Sequence, residues 1–222
     1  MRQPLVAGNW KMNGSLDSIT ELVEGIKTGL DSVTTAEMAI CPPYVYIPQV
    51  AAMLKGTAIA LGAQDVNDQE SGAHTGEVAA GMLSDVGCKY AIVGHSERRS
   101  IYGESDELTA RKFAAARMAG LVPILCLGEL LEEREQGITE QVVARQLDAV
   151  FDLEGVGALD NAVIAYEPVW AIGTGMTASP DQAQEVHAFI RSMVAKEDAT
   201  IANNLQILYG GSVKGSNAAE LF

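Results

Sequence analysis

The hydrophobic positions of the chain fall into seven short apolar runs, most of them followed by a longer amphipathic stretch. Continuous apolar runs of this length are typical of parallel strands buried on both faces. The runs are Leu5–Gly8, Met38–Cys41, Ala58–Ala63, Tyr90–Val93, Val122–Leu127, Val163–Tyr166 and Gln206–Tyr209. No linker or low-complexity segment interrupts this alternation. The pattern therefore predicts an α/β protein folded as a single domain over residues 1–222.

The clearest helix prediction covers Ser179 to Met193. Ser179 is the expected N-cap, Pro180 suits the first helical position, and Gln182 would complete a capping box. The apolar residues that follow fall on one face of this helix: Val186, Phe189, Ile190, Met193 and Val194. The pattern therefore predicts an amphipathic helix.

Polar residues with useful chemistry close almost every predicted strand. They are Asn9, Lys11, Gln64, His95, Glu129, Glu167 and Ser212. In a (β/α) barrel the carboxyl ends of all strands converge on one mouth, whereas in a doubly wound sheet only the ends at the switch point meet. Periodicity alone allows both architectures, and the polar strand ends favour the barrel.

Charge and composition limit the possible functions. The chain has 15 Lys and Arg residues against 29 Asp and Glu residues, and this net charge of −14 disfavours nucleic acid as a partner. No apolar run approaches the roughly 18 residues needed to span a membrane. The N-terminus lacks the pattern of a secretion signal, and the three cysteines have no metal or redox spacing. We therefore predict a cytoplasmic location.

Glu167 directly follows the sixth predicted strand, at the end where ligands of α/β proteins bind. Pro168 removes a backbone donor and disfavours helical dihedrals at Glu167, so the strand is expected to stop there. The next residues combine large apolar groups with Gly173 and Gly175. That composition is typical of a lid that packs shut and excludes water. The alternative is an exposed carboxylate before an ordinary loop.

Lys11 and His95 add chemistry suited to an anionic substrate. Lys11 places a cation after the first strand of an acidic protein, and a surface lysine is the alternative. Ser96 and Glu97 suit the first turn of a short helix after His95. Because the positive end of a helix disfavours a charged imidazole, we predict a neutral His95 that donates a hydrogen bond. The alternative is a core histidine bonded to a backbone carbonyl.

A glycine pair follows the seventh strand. Gly210 and Gly211 allow the backbone to approach a ligand closely and to direct N–H groups at an oxyanion, as at phosphate sites after late barrel strands. With Ser212 and Gly173, they predict a phosphate site. The remaining histidines, His74 and His187, are assigned to a loop and a helix without a chemical role.

Five motifs together resemble the triosephosphate isomerase family along the whole chain. They are GNWKMNG from Gly8, SGAHTGE from Ser71, VGHSERR from Val93, AYEPVWAIGTG from Ala165 and YGGS from Tyr209. The resemblance implies a (β/α)8 TIM barrel, here incomplete with about seven βα units. It also implies an isomerase that interconverts dihydroxyacetone phosphate and D-glyceraldehyde 3-phosphate through an enediolate, in glycolysis and gluconeogenesis, without cofactor or metal.

The family resemblance also implies a role for each candidate catalytic residue. Glu167 would be the base and neutral His95 the group that polarises the carbonyl, as is known for this family. Lys11 would stabilise the negative charge together with Asn9. Glu97 would be a supporting residue that balances the charge of Lys11.

The resemblance further implies how substrate and subunits are held. Gly173 and Ser212 would bind the phosphate of a small triose beneath a lid of residues 168–176. A homodimer is implied, in which the loop around Thr75 enters the neighbouring subunit beside the Asn9, Lys11 and His95 of that subunit. His74 occupies a position where an aromatic residue, usually Phe, is expected, so a titratable group is predicted near the interface.

The last residues, from Ser216 to Phe222, predict the start of a helix without a stop signal. A complete barrel of this type has about 250 residues, so the family pattern would continue with an eighth strand and helix. We therefore expect a barrel truncated at its C-terminus, unstable alone, prone to aggregate at two exposed edges and at best weakly active.

The alternative functions are a catalytically impaired barrel fragment that only binds phosphate ligands or partner proteins, and a phosphate-binding barrel with different chemistry.

Overall fold

The computed structural model describes residues 2–213 and 215–221. Seven strands lie in this range, and each predicted strand is confirmed with ends that differ by at most one residue. The strands are β1 Leu5–Asn9, β2 Glu37–Cys41, β3 Ile59–Ala63, β4 Tyr90–Val93, β5 Val122–Leu127, β6 Val163–Tyr166 and β7 Gln206–Tyr209.

Helices separate the strands. They are α1 Leu16–Thr28, α2 Ile47–Met53, α3 Ala80–Asp85, α4 Ser96–Tyr102, α5 Asp106–Met118, α6 Leu131–Glu135, α7 Thr139–Glu154, α8 Pro180–Glu197, α9 Ala199–Asn204 and α10 Ala218–Leu221. Short 3₁₀ turns cover Leu30–Ser32, Tyr44–Tyr46, Val156–Asn161 and Val169–Ala171. None of the helices within the described ranges has the length and apolar character to cross a membrane. The predicted terminal helix is present as α10, and Phe222 lies outside the described residues.

The capping prediction for α8 is confirmed. The Ser179 hydroxyl accepts the N–H of Gln182 at 3.2 Å, and the Gln182 side chain accepts the N–H of Ser179 at 2.9 Å. These bonds satisfy two donors that a helix start otherwise leaves unpaired. On the predicted apolar face Val186, Ile190 and Val194 are buried, and Phe189 and Met193 are half-buried.

The chain divides into two compact units. Unit one comprises residues 1–93 and 111–124, and unit two comprises residues 94–110 and 125–222, within the described ranges. The expectations of a single domain and of a truncated barrel stay predictions.

Unit one contains β1 to β4, which pair in chain order, and the start of β5. The strands are parallel: Leu5 lies opposite Glu37 and Met38 lies opposite Ile59. At the start of β5, the N–H of Val122 donates to the carbonyl of Lys89 at 2.8 Å. Side chains of α1, α2 and α3 are buried in this unit, among them Ile19, Val23, Val50 and Leu83.

Unit two contains the end of β5, followed by β6 and β7 in the same parallel order. The N–H of Glu167 donates to the carbonyl of Leu127 at 2.7 Å, and Tyr166 lies opposite Tyr209. Every residue of β6 is buried, as expected for a parallel strand covered on both faces. This register places Glu167 directly after a fully buried strand.

Candidate active site

Glu167 and His95 form a buried pair in unit two. The Glu167 side chain begins at the end of β6 and is 4% exposed. Its Oε1 lies 2.9 Å from Nε2 of His95, and its Oε2 accepts the backbone N–H of Ser96 at 2.8 Å. The role of the Ser96 amide could not be read from the sequence, because it depends on where α4 begins relative to β6. The structure therefore brings together two of the three predicted catalytic residues, both of them in unit two.

His95 accepts a backbone hydrogen bond at one of its two ring nitrogens. His95 is the N-cap of α4, and its Nδ1 accepts the N–H of Glu97 at 3.2 Å. A nitrogen that accepts a hydrogen bond is unprotonated, which leaves Nε2, 2.9 Å from Glu167 Oε1, as the nitrogen that can carry a proton. The neutral imidazole expected from the sequence stays a prediction, with which an accepting Nδ1 is compatible. Glu97 Oε2 lies 3.7 Å from Nδ1, so Glu97 contacts His95 through both its backbone and its side chain.

Two glycines at the ends of the neighbouring strands pack closely against Glu167. A Cβ on Gly128, after β5, would lie 1.7 Å from the Glu167 carbonyl oxygen, and a Cβ on Gly210, after β7, would lie 2.8 Å from Glu167 Cγ. The prediction that the Gly210 N–H faces an oxyanion is wrong, since it donates to the Tyr166 carbonyl at 2.6 Å. The ladder between β6 and β7 uses this donor, because a buried backbone group needs a partner.

Glu129 joins the strand ends to the lid segment, residues 168–176. Its carboxylate is fully buried and accepts hydrogen bonds from Tyr166 Oη at 3.1 Å, Trp170 Nε1 at 2.8 Å and Arg134 Nη1 at 3.1 Å. Burial raises the pKa of Tyr166, and the charge of Glu129 raises it further. The sequence marked Glu129 as a polar strand end but missed its partners. A fully buried carboxylate requires donors of this kind.

The lid segment is open to solvent beyond its first turn. Gly173 and Gly175 are exposed and have positive φ angles of 72° and 84°. The N–H of Gly173 lies 3.4 Å from Ser212 Oγ, so the two residues predicted to hold phosphate are adjacent. The lid therefore contacts the loop after β7 near its exposed tip.

Asn9 is the last residue of β1 and Lys11 follows two positions later, both in unit one. Lys11 has a φ of 51°, the one positive value for a non-glycine residue among those described. Its N–H donates to Asn9 Oδ1 at 2.9 Å, and Gln64 Nε2 donates to its carbonyl at 2.9 Å. A strained backbone persists only where surrounding contacts determine it, and it is commonly found at functional sites. Gln64 is a support that the sequence marked only as a strand end.

The residues assigned no chemistry lie as expected. His187 is on α8, where its ring meets the ring of Tyr166 edge-on with centroids 6.0 Å apart. Burial lowers the pKa of His187 to about 4, and the charge of Arg191 contributes. His74 and Thr75 belong to an exposed loop of residues 69–77 in unit one.

Across the described part of the chain, no group of three or more His, Cys, Asp or Glu is arranged to hold a metal ion. The expected absence of a metal or cofactor stays a prediction.

The chemistry available in unit two is proton transfer. A buried carboxylate acts as a base, and a neutral imidazole in contact with it can donate a hydrogen bond to a substrate oxygen. This combination suits proton abstraction next to a carbonyl group, in which negative charge develops on that oxygen.

Comparison with known proteins agrees with this chemistry. The family model described as "Triosephosphate isomerase" matches residues 4–222. Curated triosephosphate isomerases of Dechloromonas aromatica and Thiobacillus denitrificans are both 61% identical, and that of Nitrosococcus oceani is 58% identical. Each alignment covers 100% of this chain and 88% or 89% of the relative. The family match confirms the predicted α/β TIM-barrel fold class.

Proposed function

We infer that this chain, which belongs to the triosephosphate isomerase family, interconverts dihydroxyacetone phosphate and D-glyceraldehyde 3-phosphate through an enediolate. The observation that carries this proposal is the buried contact of 2.9 Å between Glu167 Oε1 and His95 Nε2. Both groups are required by a reaction that moves a proton between adjacent carbons, one bearing a carbonyl and the other a hydroxyl.

In the proposed mechanism Glu167 is the base that removes a proton from one carbon and returns it to the other. Neutral His95 donates its Nε2 proton to the substrate oxygen and stabilises the developing charge. In the structure the Glu167 carboxylate contacts His95 and the Ser96 N–H. One of these contacts has to break before the carboxylate can reach a substrate carbon. Glu97 supports His95, because its N–H occupies Nδ1 and leaves the proton on Nε2.

Lys11 and Asn9 are proposed to supply positive charge and a polar contact for the enediolate. The positive φ of Lys11 supports a functional position, because lysine adopts this conformation only at a cost in energy. Asn9 and Gln64 support the strained backbone through hydrogen bonds to its N–H and carbonyl.

Gly173 and Ser212 are proposed to bind the phosphate through backbone and hydroxyl donors. The contact of 3.4 Å between them supports this proposal, since one phosphate can reach donors that already lie side by side. The lid segment would then close over the substrate. Closure would exclude water, which protects an enediolate that otherwise loses its phosphate.

We further propose a homodimer in the cytoplasm that acts in glycolysis and gluconeogenesis. The Thr75 loop supports a dimer, because residues 69–77 are all exposed in unit one. Large apolar side chains on the surface of unit one support it too, with Met12 95%, Val45 76% and Met82 55% exposed. Exposed apolar surface is a common sign of a protein interface.

The test is an isomerase assay of the purified chain with matched variants. Glu167→Gln keeps the size of the side chain and is expected to lower kcat by about 10³-fold, since it removes the base. Glu185→Gln makes the same change at an exposed position of α8 and should leave kcat unchanged. Equal turnover of the two variants would refute the proposed base. Binding of inorganic phosphate without turnover by the unmutated chain would instead support the impaired barrel fragment.

A further inference from the structure

Gln146 on α7 forms two hydrogen bonds with the main chain of Gly128, the residue that follows β5. Its Oε1 accepts the Gly128 N–H at 2.8 Å, and its Nε2 donates to the Gly128 carbonyl at 3.0 Å. Gln146 is 5% exposed, and both residues lie in unit two. An amide side chain offers a donor and an acceptor side by side, so it can serve both backbone groups of one residue.

Gly128 needs these partners because the bonds to the next strand end use its neighbours. The carbonyl of Leu127 accepts the N–H of Glu167 at 2.7 Å, and the carbonyl of Glu129 accepts the N–H of Val169 at 3.2 Å. The N–H and carbonyl of half-buried Gly128 therefore have to be satisfied from another side. An unpaired backbone group away from water costs about as much as a lost hydrogen bond. Helix α7 supplies both partners through one side chain.

Gly128 is also in close contact with the main chain of Glu167. A Cβ at Gly128 would lie 1.7 Å from the Glu167 carbonyl oxygen and 3.3 Å from its Cα, so no side chain separates the two main chains. Close-packed protein interiors transmit small shifts to neighbouring atoms. A shift of Gly128 would therefore displace the main chain that carries the Glu167 side chain. Gln146 acts on Glu167 through Gly128.

We propose that Gln146 is a positioning residue of the isomerase. It fixes Gly128, and Gly128 fixes the main chain that carries the Glu167 carboxylate. A base that is displaced by about 1 Å can cost about 10²-fold in rate although its side chain is unchanged. This inference rests on the proposed function, because it requires Glu167 to be the base.

The first test is Gln146→Met, which keeps the length of the side chain and removes both bonds to Gly128. We expect kcat to fall by more than about tenfold and KM to change by less than about twofold. A misplaced base slows proton transfer and leaves the proposed phosphate contacts in place. Gln141→Met is the matched control, since Gln141 is exposed on the same helix, and it should keep normal kcat.

Calorimetry with inorganic phosphate measures the rest of the site without any assay of activity. Gln146→Met and the unmutated chain should bind phosphate with equal affinity, because the inference concerns only the position of the base. A loss of phosphate affinity as large as the loss of kcat would mean general damage to unit two. That result would overturn the inference.

Gln146→Glu tests the two hydrogen bonds through pH. A carboxylate accepts the Gly128 N–H but has no proton for the carbonyl, whereas a protonated carboxyl can serve both groups. Burial favours the protonated form as the pH falls. Relative to the unmutated chain at the same pH, kcat should be lowered more than about tenfold at about pH 8 and less than about threefold at about pH 5.5. Gln141→Glu should show no such dependence.

The sign of this dependence identifies its cause. An added negative charge near Glu167 favours the protonated, inactive form of the base, so by itself it would lower the relative kcat as the pH falls. Restored hydrogen bonding to Gly128 raises it instead. Thermal unfolding of each variant at both pH values shows that the kinetics refer to folded protein. If Gln146→Met does not fold, the pH dependence of Gln146→Glu still decides.

The possible results separate this inference from the proposed function. An active unmutated chain in which Gln146→Met keeps normal kcat would overturn the inference and leave the proposed function intact. A relative kcat of Gln146→Glu that is constant or falls toward low pH would also overturn it, because a loss of packing alone does not depend on that proton. An unmutated chain without isomerase activity would refute the proposed function and this inference together.

Discussion

Gly128 and Gly210 lie where no side chain fits, whereas Gly173 and Gly175 lie where a side chain has room. A Cβ at either of the first two would overlap Glu167, and a Cβ at either of the last two would meet no atom of the described residues within 4 Å. The first pair allows strands to approach the proposed base closely. The second pair allows positive φ angles in the lid segment. Glycine therefore permits close packing of the strand ends against Glu167 in the first region and positive φ angles of the lid segment in the second.

Gly128→Ala should have the largest effect, because its Cβ would lie 1.7 Å from the backbone oxygen of Glu167. The main chain has to move, and a misplacement of about 1 Å can cost about 10²-fold in kcat. We also expect a loss of about 3 kcal/mol in the free energy of unfolding. Urea unfolding and kcat measure the two effects. Gly157→Ala is the control, since Gly157, like Gly128, has no positive φ, and no described atom lies within 4 Å of a Cβ there. Normal kcat in Gly128→Ala would contradict the interpretation.

Trp170→Phe should weaken the attachment of the lid segment to Glu129, which follows β5. It removes the donor that lies 2.8 Å from buried Glu129 and keeps an aromatic ring beside Arg134. The lost bond to a charged group should cost about 2 kcal/mol. Hydrogen exchange should show faster exchange of lid amides in this variant. Tyr166→Phe removes another donor to Glu129 without altering the lid, so lid protection that falls equally in both variants would argue against Trp170 as the anchor.

His187→Phe should reduce the pH dependence of the free energy of unfolding. Burial and the charge of Arg191 lower the pKa of His187 to about 4 in the folded chain, against about 6.5 when unfolded. The unfolded chain therefore binds the proton more readily, so the stability from neutral His187 is complete above pH 6.5 and is lost as the pH falls toward 4. Because of His187, the free energy of unfolding should fall by about 2 kcal/mol between pH 7 and pH 5. Urea unfolding at both pH values should show a smaller difference in the variant, and an unchanged difference would exclude His187 as the cause.

Gly175→Ala should have the smallest effect. Its Cβ has room, so the cost is the positive φ angle alone, about 1 kcal/mol confined to the lid. We expect kcat to fall less than tenfold and the urea midpoint to stay unchanged. A loss of kcat as large as that of Gly128→Ala would remove the distinction between the two glycine pairs.

Much of the fold was predictable because its signals are local. The run Val163–Tyr166 and the capping box of Ser179 and Gln182 depend on residue type and short spacing, and both are present as predicted. The place of His95 directly before a helix start was also readable from its neighbours, and His95 is the N-cap of α4. In contrast, the Gly210 amide was assigned to a ligand and instead bonds Tyr166, because pairing between distant strands decides which donors are used.

Sequence alone determined where the strands end, which caps begin α8, and which side chains carry acid, base or cationic chemistry. These features depend on dihedral preference, apolar runs and the side-chain type, all of which are readable from neighbours in the chain. Only the tertiary structure decided that Ser96 and His95 hold Glu167, and that Glu129 receives Trp170 from 41 residues away. Such contacts depend on strand register and helix position, which bring together groups whose separation along the chain carries no signal.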